Sequence, residues 1–271
     1  VRLVRFEHDG RTSVGILRED GMLDDLGVDD LRLVMDSSLP GSRATLAAAE
    51  VRLLAPVPRP GKVLCAGVNY HSHKDENPAA VIPSRPFFFS KLPSAVIGPG
   101  DPIVVPAPAS QVDYEVELAV VIGRSSKNLS PEAALSAVFG YTVLNDVSGR
   151  DIQFVDNQIT LGKGLDTFCP LGPVVVTADE VPDPQVLVVA SRVNGEVRQH
   201  ESTANMVFSV AELLAAASRH ITLEAGDVIS TGTPAGVGCF MRPPRFLEPG
   251  DTVEVEVDAI GVLSNPVHAG W

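Results

Sequence analysis

Residues 113–123, DYEVELAVVIG, form the run that most narrows what this chain can fold into. From Val116 to Ile122 it is apolar except for Glu117, and Asp113 and Gly123 bound it. It reads as a β-strand. Side chains alternate along a strand, so Glu115 and Glu117 share one face while Val116, Leu118 and Val120 share the other. The acidic face continues into Ala119 and Val121. Two carboxylates forced together beside apolar residues repel each other and lose hydration. A hard divalent cation with oxygen ligands relieves both problems. A solvated face on an edge strand would carry the same pattern, so the pair alone leaves both readings open.

A second acidic group narrows the choice. GYTVLND, residues 140–146, is an apolar strand ending in Asn145 and Asp146, followed by SGRDIQ. Asp146 is either the cap of a following helix or the third carboxylate of a site with Glu115 and Glu117. Three carboxylates leave open positions on octahedral Mg²⁺ or Mn²⁺. Calcium fits less well, because no loop shows its ligand-dense spacing. The segment NYHSHKDE, residues 69–76, follows a strand-like run and Gly67. In a helical turn His73 and Glu76 are neighbours, and a carboxylate beside imidazole raises its basicity and orients it, as a general base requires. A polar surface loop would read the same way. Lys163 lies between Gly162 and Gly164, and STGTPAGVG, residues 230–238, is a Gly/Thr-rich loop able to offer amides and hydroxyls to a carboxylate.

The rest of the chain predicts an α+β fold that is rich in strands. KVLCAGV, PFFFS, PIVVP, GPVVV, VLVVASRV, DVIST, TVEVEV and IGVLS read as strands, and Asn194-Gly195 suits a type I′ hairpin turn. Few helices interrupt them. Ser130-Pro131 opens one, and Ser209 with Glu212 forms a capping box for another. With so few crossover helices the sheet should be mixed and curled, not doubly wound. Residues 1–55 read as a small N-terminal module with short strands and two weak helices, over Asp29–Met35 and Arg43–Glu50. APVPRPG, residues 55–61, reads as a stiff connector, and residues 56–271 as the catalytic domain.

Charge excludes some functions. With 21 basic against 34 acidic residues the net charge is −13, and no Lys/Arg run exists to neutralise phosphates or bind an anionic membrane. Three widely spaced cysteines give neither a zinc pattern nor a disulfide framework, which fits a reducing compartment. The expectation is a soluble, cytoplasmic protein with no nucleic-acid or membrane partner.

NYHSHKDE, FFFSKLPSAVIGPGDPIVVP, DYEVELAVVIG, GYTVLNDVSGRDIQ, GKGLDTFCPLGP, VNGEVRQ and ISTGTPAGVG, in this order, resemble the fumarylacetoacetate hydrolase family over about residues 56–267. The resemblance implies a curled mixed β-sheet roll, paired as a homodimer, with Mg²⁺ or Mn²⁺ on Glu115, Glu117 and Asp146. It implies a lid bearing His73 and Glu76, Lys163 as a further catalytic residue, and Arg150, Gln153 and Thr233 lining the substrate pocket. His71 departs from the family, where a small residue is usual. A 2-oxo acid would chelate the metal, which stabilises an enolate as a Lewis acid. His73 would activate water, Lys163 and Gln153 would stabilise oxyanion charge, and Arg150 and Thr233 would hold the substrate carboxylate. The preferred reading is hydrolysis of a C–C bond in an acylpyruvate-like acid. The alternative is isomerisation of a 2-hydroxy-dienedioate or decarboxylation of oxaloacetate at the same site, and a non-catalytic small-acid binder stands well behind both.

Overall fold

The computed structural model describes residues 1–35, 39–77, 81–107, 109–155 and 157–270. Strands dominate it. A 12-stranded mixed sheet runs in the order Ala44–Ala47, Met22–Asp25, Arg11–Leu17, Arg2–His8, Cys169–Thr177, Val138–Asn145, Val116–Ile122, Val228–Ser230, Val63–Gly67 and Phe87–Lys91, with two short strands paired off this path. A five-stranded sheet contains Glu196–Ser202, Val188–Val193, Thr252–Val257, Gly261–Ala269 and Ile103–Val105. This is the strand-rich mixed architecture expected from the sequence.

The run that opened the sequence reading lies inside the large sheet. Val116–Ile122 pairs antiparallel with Val138–Asn145 on one side and Val228–Ser230 on the other. Its alternation divides two cores. Val116, Leu118, Val120 and Ile122 pack with Val189, Val255, Val257 and Leu263 of the five-stranded sheet and with Leu214 of the helix Val210–His220. Ala119 and Val121 belong to the opposite cluster, with Cys65, Leu144, Cys169 and Leu171. Glu117 shares that second face, so an ionisable group enters a fully covered side of the sheet.

Local signals act where backbone chemistry is strict. Asn194 and Gly195 adopt φ of 53° and 78°, the left-handed pair that a type I′ turn needs, and Val193 faces Glu196 across it. Ser209 and Glu212 cap the helix Val210–His220 reciprocally. The opening Ser130-Pro131 starts a single turn, Pro131–Ala134, without a side-chain cap bond from Ser130.

Two expected helices form differently. Residues 44–47 are a strand, Ala44–Ala47, paired with Met22–Asp25, and only Ala48–Glu50 turns, as a 3-10 helix. The alanines favour helix weakly, and the open edge of a strand offers a full ladder of hydrogen bonds instead. Residues Leu31–Val34 form one 3-10 turn, started by Asp30, whose side chain accepts from the Arg32 amide. The N-terminal strands join the large sheet through Arg2–His8, which pairs with Cys169–Thr177, and Ala55 and Val57 of the proline-rich segment are buried. No helix among the described residues is long and apolar enough to cross a membrane.

Candidate active site

Glu115, Glu117 and Asp146 each offer a carboxylate oxygen, and these three atoms lie within 4.8 Å of one another. Register brings them together. Val116 faces Asn145 across the antiparallel ladder, so the residues flanking that pair, Glu115 and Asp146, meet at the strand ends. The Asp146 amide donates to the Glu115 carbonyl at 2.9 Å, and the Asn145 side-chain oxygen accepts from the Glu115 amide at 3.0 Å. All three carboxylates are buried, at 5% exposure or less.

The cluster is held by cations on its protein side. Lys163 Nζ donates to Glu115 Oε2 at 2.8 Å and to Asp146 Oδ2 at 2.7 Å. Arg150 NH2 donates to Glu115 Oε1 at 2.6 Å and its Nε to Asp113 Oδ2 at 3.0 Å. Lys91 Nζ donates to Asp146 Oδ1 at 2.5 Å and to the Val147 carbonyl at 3.0 Å. Glu117 has no such partner. It accepts from the Ser230 hydroxyl and, at 2.9 Å, from the Gly232 amide.

This difference separates the acidities. Burial opposes ionisation of Glu115, but the Lys163 and Arg150 charges outweigh it and hold its pKa down at about 2. Burial pushes Glu117 the other way, and the Asp146 and Glu115 charges add to it, so its pKa is raised well above the ordinary range. Asp146 and Glu115 likewise hold Lys163 above the usual lysine value against the effect of burial. Four carboxylates, counting Asp113, face three cations. The donor set is all oxygen and short of positive charge at Glu117, and a hard divalent cation fits both properties.

The sequence-predicted groups converge on one cavity of about 170 Å³, lined by His73, Glu115, Glu117, Arg150, Gln153, Lys163 and Thr233 among others. Glu76 stands behind His73. His73 Nδ1 lies 2.7 Å from Glu76 Oε1, and Glu76 Oε2 accepts from the Gly236 amide at 2.8 Å. The short helix His71–Glu76 is thereby fastened to the loop after Val228–Ser230. Asn69 strengthens the joint, donating to Thr231 O at 2.7 Å and accepting from the Phe208 amide at 2.8 Å. Between strand and helix, Val68 has φ of 48°, a conformation that holds a β-branched residue at a cost of about 1–3 kcal/mol.

Two residues expected to line the substrate pocket also bond within the protein. The Arg150 guanidinium is engaged by Asp113 and Glu115, and its NH1 donates to Gln153 Oε1 at 3.0 Å. The Thr233 hydroxyl donates to the Val116 carbonyl at 2.9 Å and accepts from Gln199 Nε2 at 2.8 Å. Both side chains also tie the site together in this structure. Lys91, Asp113 and Gln199 were not singled out by the sequence reading. Lys91 carried the one usable signal, since it shares a strand face with Phe87 and Phe89 and a lone lysine there needs a buried partner.

Residues 62–268 match the family model described as fumarylacetoacetate (FAA) hydrolase C-terminal. The chain is 47% identical over 233 residues to a mitochondrial oxaloacetate tautomerase of Xenopus laevis, covering 85% of this chain and 73% of that protein. It is 48% identical over 222 residues to an oxaloacetate tautomerase of Bacillus subtilis, covering 81% and 74%. Among solved structures it resembles a 5-carboxymethyl-2-hydroxymuconate delta-isomerase of Mycobacterium smegmatis, with a TM-score of 0.87, 38% identity and full coverage of both chains. A fumarylacetoacetate hydrolase of Exiguobacterium antarcticum gives a TM-score of 0.90 at 44% identity over 99% of both. These relatives stand nearer to the isomerase alternative than to C–C hydrolysis, which they do not contradict.

Proposed function

Because the chain belongs to the fumarylacetoacetate hydrolase family, an enzyme family, we propose that it is a divalent-metal-dependent tautomerase interconverting the enol and keto forms of a 2-oxo acid. The observation that carries this is the buried triad of Glu115, Glu117 and Asp146 facing the same cavity as His73. The tautomerase names of the relatives favour proton transfer over attack by water.

Mg²⁺ or Mn²⁺ bound by the triad supplies Lewis acidity toward a substrate oxygen. The remaining chemistry belongs to the chain. Glu76 can only accept when ionised, so it fixes the proton of His73 on Nδ1 and leaves Nε2 as the ring's acceptor. Nε2 takes a proton from the carbon beside the 2-oxo group and returns one in the reverse direction. Lys163 holds a positive charge in the cavity wall, where negative charge develops on oxygen. Gln153, oriented by Arg150, and Thr233 border the space for the acid.

The test follows enol decay of oxaloacetate by ultraviolet absorbance with Mg²⁺, with Mn²⁺ and with excess chelator. Glu115→Gln and Asp146→Asn should lose turnover and keep the fold. Full activity in chelator would sink the metal assignment. Pyruvate release from an acylpyruvate at a greater kcat/KM than oxaloacetate tautomerisation would favour the hydrolase reading instead.

A further inference from the structure

The cavity that holds the carboxylates is also lined by aromatic rings. Of the 10 phenylalanines in the chain, four line this one space: Phe87, Phe89, Phe154 and Phe240. Ile159 and Val68 continue the apolar wall. Phe87 is 47% exposed and Phe154 58%, which places both at the rim of the cavity. Large apolar side chains gathered at a rim mark a surface that a ligand covers.

The cations of the same cavity are already matched. Lys163 sits between Glu115 and Asp146, and Arg150 between Glu115 and Asp113. Among the described lining residues, none carries a positive charge without a carboxylate partner. The charge count points the same way. Four carboxylates against three cations leave one negative charge, which a divalent ion turns into one positive. One substrate carboxylate neutralises it. An aromatic ring in place of a second carboxylate needs no further counter-charge and can lie on the half-exposed rim phenylalanines.

We propose that the site also tautomerises 2-oxo monocarboxylates that bear an aromatic ring on the carbon next to the 2-oxo group. This rests on the tautomerase reading above and extends its substrate class. In the keto-to-enol direction a C–H bond at that carbon breaks and an O–H bond forms on the 2-oxygen. The C–H electron pair becomes the new carbon–carbon π bond, and no electron is gained or lost. The ring packs against Phe154 and Phe87, where an aromatic pair contributes roughly a 3- to 10-fold gain in affinity.

The experiment uses the whole chain loaded with Mg²⁺ and follows enol–keto conversion of phenylpyruvate and of oxaloacetate separately. Calorimetry measures phenylpyruvate binding alongside. The expected result is enzymatic conversion of both, with Phe154→Ala lowering the phenylpyruvate-to-oxaloacetate ratio of kcat/KM by roughly 3- to 10-fold and weakening phenylpyruvate binding in step. Phe87→Ala should act in the same direction, and Phe154→Leu should restore part of the loss. Oxaloacetate conversion with phenylpyruvate at the uncatalysed rate overturns this inference and leaves the tautomerase reading standing. A ratio unmoved by both alanine variants also overturns it. Conversion of neither acid overturns the tautomerase reading itself, and this inference with it.

Discussion

Lys91 Nζ lies 2.5 Å from Asp146 Oδ1, and neither side chain is exposed to solvent. The pair fixes one carboxylate of the triad from a strand at the edge of the sheet path, Phe87–Lys91. Removing Lys91 leaves Asp146 with Lys163 as its one buried cation, so the cost approaches but stays under the about 3–5 kcal/mol of a fully uncompensated partner. Lys91→Met should therefore lower the melting temperature sharply in chelator. Mn²⁺ supplies the missing positive charge, so the deficit should shrink when it is added. Melting curves with and without Mn²⁺ check this, and an equal loss in both would remove charge compensation as the role of Lys91.

Glu117 should control metal binding through its proton. Its pKa is raised in the folded chain by burial and by Asp146 and Glu115. Between the ordinary carboxylate value and the raised one, the folded state keeps a proton that the unfolded chain has released. Stability of the metal-free protein therefore falls as pH rises through that window. Glu115 behaves oppositely. With its pKa held at about 2, its contribution is present above the ordinary value of 4.5 and fades as pH falls toward 2. A cation must displace the Glu117 proton, so calorimetry near neutral pH, in buffers of different ionisation enthalpy, should show up to about one proton released. Glu117→Gln should abolish both metal binding and proton release while raising the melting temperature of the metal-free protein. Tight Mn²⁺ binding by this variant would refute the assignment.

The triad was legible because its geometry is nearly local. Glu115 and Glu117 are two apart on a strand, and Asp146 ends the next apolar strand in sequence, which pairs beside it. His73 and Glu76 were legible for the same reason, being three apart in one helical turn. Their partners were not. Lys91 reaches Asp146 across 55 positions and Asp113 reaches Gly238 across 125, distances that only the assembled sheet closes. The strand Ala44–Ala47 was missed on the same ground, because its pairing to Met22–Asp25 outweighs the helix preference of its alanines.

His73 and Glu76 should separate catalysis from metal binding. His73 lines the cavity but contributes no atom to the carboxylate cluster. His73→Ala should lower kcat by roughly 10²- to 10⁴-fold, the usual worth of a positioned acid–base group. Mn²⁺ affinity should stay at the wild-type value. Glu76→Gln keeps an acceptor for the Gly236 amide but loses the charge beside Nδ1, so a smaller loss of kcat is expected. Wild-type turnover in His73→Ala would dismiss it as the proton carrier.

Gly232 should prove intolerant of a side chain for two separate reasons. Its φ is 93°, where L-residues are strained, and a Cβ there would come within 2.8 Å of the Asn69 Cβ. Asn69 cannot retreat easily, since its amide bridges Phe208 and Thr231. The Gly232 amide also donates to Glu117 Oε2 at 2.9 Å, so any shift of this backbone is felt by a carboxylate of the proposed metal site. Gly232→Ala should destabilise the chain by about 1–3 kcal/mol and weaken Mn²⁺ binding together. Gly250→Ala is the control: its φ of 102° carries the same backbone strain, but nothing lies within 4 Å of the added Cβ. It should reduce stability and leave Mn²⁺ affinity unchanged. Loss of stability in Gly232→Ala with unaltered metal affinity would show that Glu117 does not depend on this amide for its position.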